Sequence, residues 1–181
     1  MKGGMKMLKK NTDEELKELL EKDFDGMITD VTIKKLHRVY CMALGKDIYP
    51  ITEILMNKLG FDYLCTITGV DCGDSIHALY HWGSKEGVLL TIEAVLPMDN
   101  LKLKSITPLI RGAVYYEREL ADLLGVEVEG LPEGNRYPLD EDFPKDQYPL
   151  RKNWDAAKYI KEHEKQEAEI KKLEGDNLCQ K

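Results

Sequence analysis

His77 and His81, four residues apart, are the pair whose type and spacing most suggest a metal site. On a helix that separation puts both rings on one face, as in the H-E-x-x-H zinc motif. Here the segment reads His-Ala-Leu-Tyr-His, with no intervening glutamate, inside a run of β-formers. The two rings then share a strand face instead. The four cysteines are Cys41, Cys65, Cys72 and Cys179, and none forms a C-x-x-C pair. Zinc and iron–sulfur sites usually take closely spaced thiolates, so Cys41 and Cys65 read as buried free thiols. A stand-alone metal or redox protein using Cys41, Cys65, Cys72, His77 and His81 is the alternative that metal analysis would decide. Phosphate-binding and dinucleotide-binding glycine motifs are missing, as is the G-x-S-x-G nucleophile elbow. Ser75, Ser84 and Ser105 lie in no nucleophile motif. Glu117 and Glu119 are two apart on an expected helix, so they point to different faces and cannot work as a carboxylate pair. No active site is visible in the sequence.

The elements that would carry these residues can be read from periodicity. A short helix spans Asn11 to Glu21, with Thr12 as N-cap and Glu15 three residues on, and with Leu16, Leu19 and Leu20 as its apolar stripe. Ile33 to Leu44 reads as one strand, with Leu36, Arg38, Tyr40 and Met42 on one face and Val39 and Cys41 on the other. Pro50 suits a first helical turn; Ile51, Ile54, Leu55 and Leu59 follow at helical spacing and Gly60 supplies the stop. Three strands follow, over Phe61 to Val70, Ser75 to Trp82 and Val88 to Leu96, joined by polar turns in an antiparallel meander. The period turns helical again from Thr107 to Leu124, with Tyr116, Leu120, Leu123 and Leu124 on one face and Gly125 at its end. Val126 to Val128 reads as a short strand.

The character of the chain changes after Glu129. Pro132, Pro138, Pro144 and Pro149 interrupt every regular element between residues 130 and 153. Such a segment is either a partner-wrapping arm or a loop that coats its own domain. Trp154 to Leu173 is helical in propensity but thinly apolar, and would be marginal alone. The division is therefore an α+β core over 1–129 and an extended arm with a charged C-terminal helix over 130–181.

Charge narrows the function further. The net charge of −7 argues against general nucleic-acid binding. From Glu117 to Asp146 there are ten Asp or Glu against three Lys or Arg, which suits either a solvated face or a basic partner. No run approaches the ~20 apolar residues of a membrane span. The basic start is followed by Asn-Thr-Asp-Glu-Glu rather than an apolar stretch, so no secretory signal is expected.

Two segments carry a recognisable pattern. Tyr116 to Val126 reads YERELADLLGV and resembles the signature E-R-E-x-x-D-[apolar]₂-G-[IV] of the NADH dehydrogenase 30 kDa subunit family. Pro149 to Asn153 reads PLRKN and resembles that family's closing P-L-R-K-D. Upstream, Leu64 to Asp71 (LCTITGVD) and Tyr80-His81-Trp82 are similar to its strand around G-V-D and its Y-H-L. The resemblance covers roughly Pro50 to Asn153. Family members often read G-H-P-x-L-R-R between the two signatures; here Leu131 stands for the histidine and Asn135 for the first arginine, while Arg136 fits the second. Asn153 replaces the usual aspartate. These departures lean toward the membrane-bound hydrogenase and sulfur-reducing relatives.

The resemblance implies an α+β fold: a mixed, mainly antiparallel sheet covered by helices, with a C-terminal extended arm and polar helix. It implies a scaffold subunit with no cofactor of its own, on the cytoplasmic side of the cell membrane, in a membrane-bound oxidoreductase complex that moves ions. The expected partners are the hydrogenase-like large subunit (a 49 kDa subunit relative) and the cluster-bearing small subunit, with membrane contact only through them. The candidate interface residues are Glu117, Arg118, Glu119, Asp122, Arg136, Pro149, Leu150 and Arg151. Arg118 would hold a carboxylate, with Glu117, Glu119 and Asp122 as its own-chain choices, and Leu150 and Arg151 would fix the arm on the partner. The competing role for Arg118 and Glu119 is to hold their own helix on the sheet.

Overall fold

The computed structural model describes residues 13–24 and 26–164. Helix α1 (Asp13–Asp23) leads into strands β1 (Ile28–Lys35) and β2 (Arg38–Leu44). Helix α2 (Ile48–Ile54) continues as a wider turn over Leu55–Leu59 and stops at Gly60, whose φ of 71° is left-handed. Strands β3 (Tyr63–Asp71), β4 (Ser75–Gly83) and β5 (Leu89–Pro97) form the expected meander. Then come β6 (Lys102–Lys104), helix α3 (Ala113–Leu124) and β7 (Glu127–Glu129). Residues 156–164 are helical, while Trp154 and Asp155, where that helix was expected to begin, are not; positions 165–173 of the expected helix, like Thr12, lie outside the described residues.

The five long strands make one sheet in the order β1-β2-β5-β4-β3. Only the β2–β5 pair is parallel, because α2 carries the chain across from the first hairpin to the meander. The sheet is thus mixed and mainly antiparallel, and the class is α+β. Alternation decides which face is buried. On β4 and β5, Ile76, Ala78, Tyr80, Trp82, Leu90, Ile92, Ala94 and Leu96 are buried and join one core with Leu16, Leu20, Ile48, Ile51, Leu55, Leu120 and Leu124 from the helices. The residues between them on the opposite face, among them His77, Leu79, His81, Thr91, Glu93 and Val95, are only half-buried.

Two expected elements need correction. The single strand over Ile33 to Leu44 is a hairpin, with its turn at Leu36 and His37. Asp13 accepts the His37 N–H at 2.7 Å, and His37 takes a φ of 58°, so the chain reverses there. Val39 and Cys41 share a face as expected, and that face is the buried one, while Leu36 leaves the strand pattern. The helix expected from Thr107 begins at Ala113. Pro108 disfavours a helical Thr107, and residues 105 to 107 are instead bent around a carboxylate described below. The strand β6 carries no long pattern of its own; it pairs in parallel with β7.

Helix α3 lies against β3 at Gly69. A Cβ there would sit 2.2 Å from Leu124 Cδ1 and 2.6 Å from Leu120 Cδ2. Both leucines are buried, so neither can move aside freely. Gly69→Ala is expected to destabilise the chain by about 1–3 kcal/mol through overpacking. Urea denaturation measures it, and an unchanged midpoint would show that α3 can ride out from the sheet without cost.

Candidate partner interface

Helix α3 uses two stripes. Ala113, Glu117, Leu120 and Leu124 are buried on the inner one. At its end Gly125 has a φ of 69°, and the Gly125 and Val126 amides bond back to Ala121 O and Leu120 O, a left-handed stop only glycine takes readily. Glu117 stands in the inner stripe with no exposed surface. Its carboxylate accepts the Ser105 hydroxyl at 2.6 Å, the Ile106 amide at 2.7 Å and the Thr107 hydroxyl at 2.8 Å. Burial pushes its carboxyl above the usual glutamate range, and these hydrogen bonds pull against that rise. Glu117 therefore faces its own interior, where it ties residues 105–107 to α3; it offers no surface to a partner.

The outer stripe holds the arm. Arg118 donates from Nη2 to Pro132 O and Glu133 O, both at 3.2 Å. It was expected to hold a carboxylate; it binds carbonyls, because Glu117 points inward and Asp122 is already occupied. Asp122 accepts Arg136 Nε at 3.2 Å and the Tyr137 amide at 3.0 Å. Arg136 also donates to Phe143 O and stacks near the Phe143 ring. Glu119 is half-buried and has no place in these contacts.

The second half of the arm is fixed by the end of α3. The Tyr148 ring lies over Gly125, where a Cβ would meet ring carbons at 2.6 to 2.8 Å. The Leu150 amide donates to Leu123 O at 3.1 Å. Arg151 Nε donates to Leu124 O at 2.8 Å, and its guanidinium lies 5.0 Å from the Tyr148 ring centre. The Lys152 amide then reaches Asp71 Oδ2 at 2.8 Å, while Asp71 Oδ1 accepts the Gly73 amide at 2.7 Å. Asp71 as an anchor was missed in the sequence. Its only signal was membership of the GVD run, and the bond spans 81 positions.

Tethered from beneath, the arm leaves other side chains outward. Leu150 is 52% exposed and Pro149 is half-buried. Tyr115 and Tyr137 pack edge to face with centroids 5.4 Å apart, and both are exposed. Glu133, Asp140, Glu141, Asp142 and Asp146 are exposed along the same segment.

The residues of the metal reading do not converge. Cys41 is in the core, where burial pushes its thiol up to about 12. Cys65 is half-buried and Cys72 exposed. His77 is engaged by Glu93 and Ser75, and His81 by Thr91 at 3.0 Å. Among the described residues, no three His, Cys, Asp or Glu side chains gather in a metal-binding group, and no helix is long and apolar enough to cross a membrane.

Residues 44–160 match the family model described as the respiratory-chain NADH dehydrogenase 30 Kd subunit. The chain belongs to that family. A subunit of the F(420)H(2) dehydrogenase of Methanosarcina mazei is 30% identical over 142 residues, which cover 77% of this chain and 89% of that one. The beta subunit of the membrane-bound hydrogenase of Pyrococcus furiosus is 34% identical over 45% of this chain and 49% of its own length. The fold is shared with a chain of the membrane-bound sulfane sulfur reductase, an archaeal respiratory membrane complex, at a TM-score of 0.73 and 23% identity, covering 84% of this chain and 91% of that one. A trypsin-resistant fragment of Nqo5 matches at a TM-score of 0.57 and 20% identity, covering 66% of this chain and 98% of the fragment. In this family member the signature segments thus meet in space: the ERE helix, the PLRK arm and the GVD strand end form one clamp.

Two outcomes follow from the clamp. Glu117→Ala orphans its buried donors and should cost roughly 3 kcal/mol or more. Glu117→Gln, which keeps an acceptor, should cost less; equal losses in urea denaturation would sink this account. Asp71 titrates with its tether, since the Lys152 and then the Gly73 amide hold its carboxyl below the ordinary 3.8. A carboxylate with a lowered folded pKa stabilises above its unfolded value and loses that contribution as pH falls through the folded one. The Lys152 amide should therefore stay protected from hydrogen exchange at neutral pH and lose protection as the medium is acidified below the ordinary value. In Asp71→Asn that pH-linked loss should disappear.

Proposed function

We propose that this chain is the cofactor-free scaffold subunit of the hydrophilic, cytoplasmic arm of a membrane-bound, ion-translocating oxidoreductase complex. It would pack against the hydrogenase-like large subunit, beside the cluster-bearing small subunit. The carrying observation is the arm. An irregular, proline-broken segment is fastened along its inner edge by Arg118, Asp122, Leu123, Leu124 and Asp71, while Leu150, the Tyr115–Tyr137 pair and a line of carboxylates face away from the domain. Family membership supports the same reading, since relatives carry the names of F(420)H(2) dehydrogenase and membrane-bound hydrogenase subunits.

The physical roles divide accordingly. Arg118, Asp122, Arg136 and Arg151 act as positioning residues that present the arm. The tyrosine pair supplies the aromatic anchor area that dominates binding energy at interfaces, and Leu150 adds exposed apolar area. The exposed acids form a rim that meets a basic partner surface and governs encounter more than affinity. The electron donor and acceptor belong to the partner chains.

Leu150→Asp places a charge where the anchor side chain stands, without touching the backbone bonds that hold the arm. The complex purified from membranes should then lose this subunit, while the variant keeps the urea midpoint of the parent. Lysine at Asp140, Asp142 and Asp146 together should slow assembly and flatten its salt dependence. Full stoichiometry in the purified complex with both variants would overturn the arm as the docking element. Turnover per assembled complex should match the parent in each case; a sharp fall with assembly intact would show that the subunit shapes the active site.

A further inference from the structure

The β1–β2 hairpin plays no part in the arm clamp. Its tip reads Lys34-Lys35-Leu36-His37-Arg38. Leu36 is 78% exposed, more than any other large hydrophobic side chain among the described residues. Single exposed leucines are common on protein surfaces; this one is held out by a built turn. Asp13, itself only 9% exposed, accepts the His37 amide at 2.7 Å, and its other oxygen lies 3.4 Å from His37 Nδ1. His37 takes a left-handed φ of 58°, and Arg38 Nη1 donates to His37 O at 2.9 Å. A buried carboxylate thus fixes a turn that projects an apolar side chain into solvent.

The exposed charges of the tip, Lys34, Lys35 and Arg38, are of one sign, while the Asp13 carboxylate beneath them is buried. Lys34 sits 4.8 Å from the centre of the Tyr40 ring. Among the described residues, neither Lys35 nor Arg38 has a carboxylate at ion-pair distance. The whole chain carries −7, so this basic tip stands against the sign of the molecule. An apolar anchor ringed by cations on a rigid turn is complementary to an apolar socket ringed by carboxylates.

We propose that the β1–β2 tip is a second docking point, which seats Leu36 in an acidic-rimmed apolar socket on another protein subunit of the same complex. This rests on the subunit reading above and adds to it a contact independent of the arm. The occupant is protein rather than lipid, because one leucine offers too little apolar area for the interfacial binding that amphipathic helices achieve; on a protein surface the carboxylates that Arg38's planar fork can grip ring the socket. Because Asp13 already orders the turn, little conformational freedom is lost on docking.

The test uses the complex purified from membranes, with the photo-reactive residue p-benzoylphenylalanine in place of Leu36 and, in a parallel preparation, in place of Leu150. Irradiation should join the tip to another subunit, and the joined peptide should be rich in Asp and Glu. Lys35→Glu with Arg38→Glu should cut that adduct by roughly an order of magnitude through like-charge repulsion, while the adduct from position 150 persists. Adducts from position 150 with none from position 36 would overturn the tip and leave the subunit reading standing. An adduct from the tip to lipid, to a second copy of this chain, or to a peptide without acidic residues would overturn it equally. No adduct to another subunit from either position would remove the subunit reading as well.

Discussion

One buried carboxylate sets where everything else can stand. Glu117 has no exposed surface, and it accepts three hydrogen bonds from residues 105 to 107. Those residues would otherwise present polar groups to an apolar interior, which is costly without partners. The bonds fix the approach to α3 and the rotation of the helix about its axis. Once Glu117 points inward, Arg118 and Asp122 must point outward, because one and five positions further on the turn of the helix carries them away from the core. The Tyr80 hydroxyl is also buried, and among the described residues it has no hydrogen-bond partner. Burial raises its pKa, and the nearby Glu117 charge adds to that rise, so the phenol stays neutral beside the carboxylate.

The outward stripe then meets a segment that cannot satisfy itself. Prolines at 132, 138, 144 and 149 remove amide donors and break any ladder the arm could form. Its remaining backbone groups need partners from elsewhere. Arg118 supplies donors to two carbonyls, Asp122 accepts an amide, the last carbonyls of α3 take the Leu150 amide and the Arg151 side chain, and Asp71 takes the Lys152 amide. The charged residues of the signature are thus required by the irregularity of the arm. Gly125 belongs to the same logic twice over: it ends the helix in a left-handed turn, and its missing Cβ is the space that Tyr148 fills.

Much of this was legible in the sequence, and the reasons for the rest are physical. The meander, the α2 stop at Gly60 and the buried stripe of Leu120 and Leu124 follow from periodicity and glycine, which act locally. The hairpin turn at Leu36 and His37 has no glycine or asparagine to mark it; its determinant is Asp13, 24 positions away. The late start of α3 depends on Glu117 reaching back to residues 105–107, so the helical period there misled. Arg118 was expected to hold a carboxylate, and residue types could not say that its partners are the main-chain carbonyls of Pro132 and Glu133. Asp71 could be singled out only by resemblance, since its partner is a backbone amide and leaves no trace in residue types.

The arm's dependence on its own domain bears on how a scaffold binds. A disordered segment that folds on its partner loses conformational freedom at that moment and binds less tightly for its area. Here the arm's inner edge is already satisfied, so its ordering is complete within the chain. What remains outward is side-chain surface: Leu150 above a tethered backbone, the tyrosine pair bridging α3 and the arm, and acids without regular structure beneath them. Such a surface can have a fixed shape although it has almost no secondary structure, because its geometry is inherited from a helix held by Glu117 and by Leu120 and Leu124 against Gly69. In the proposed role, such a surface would be specific through the position of its groups alone.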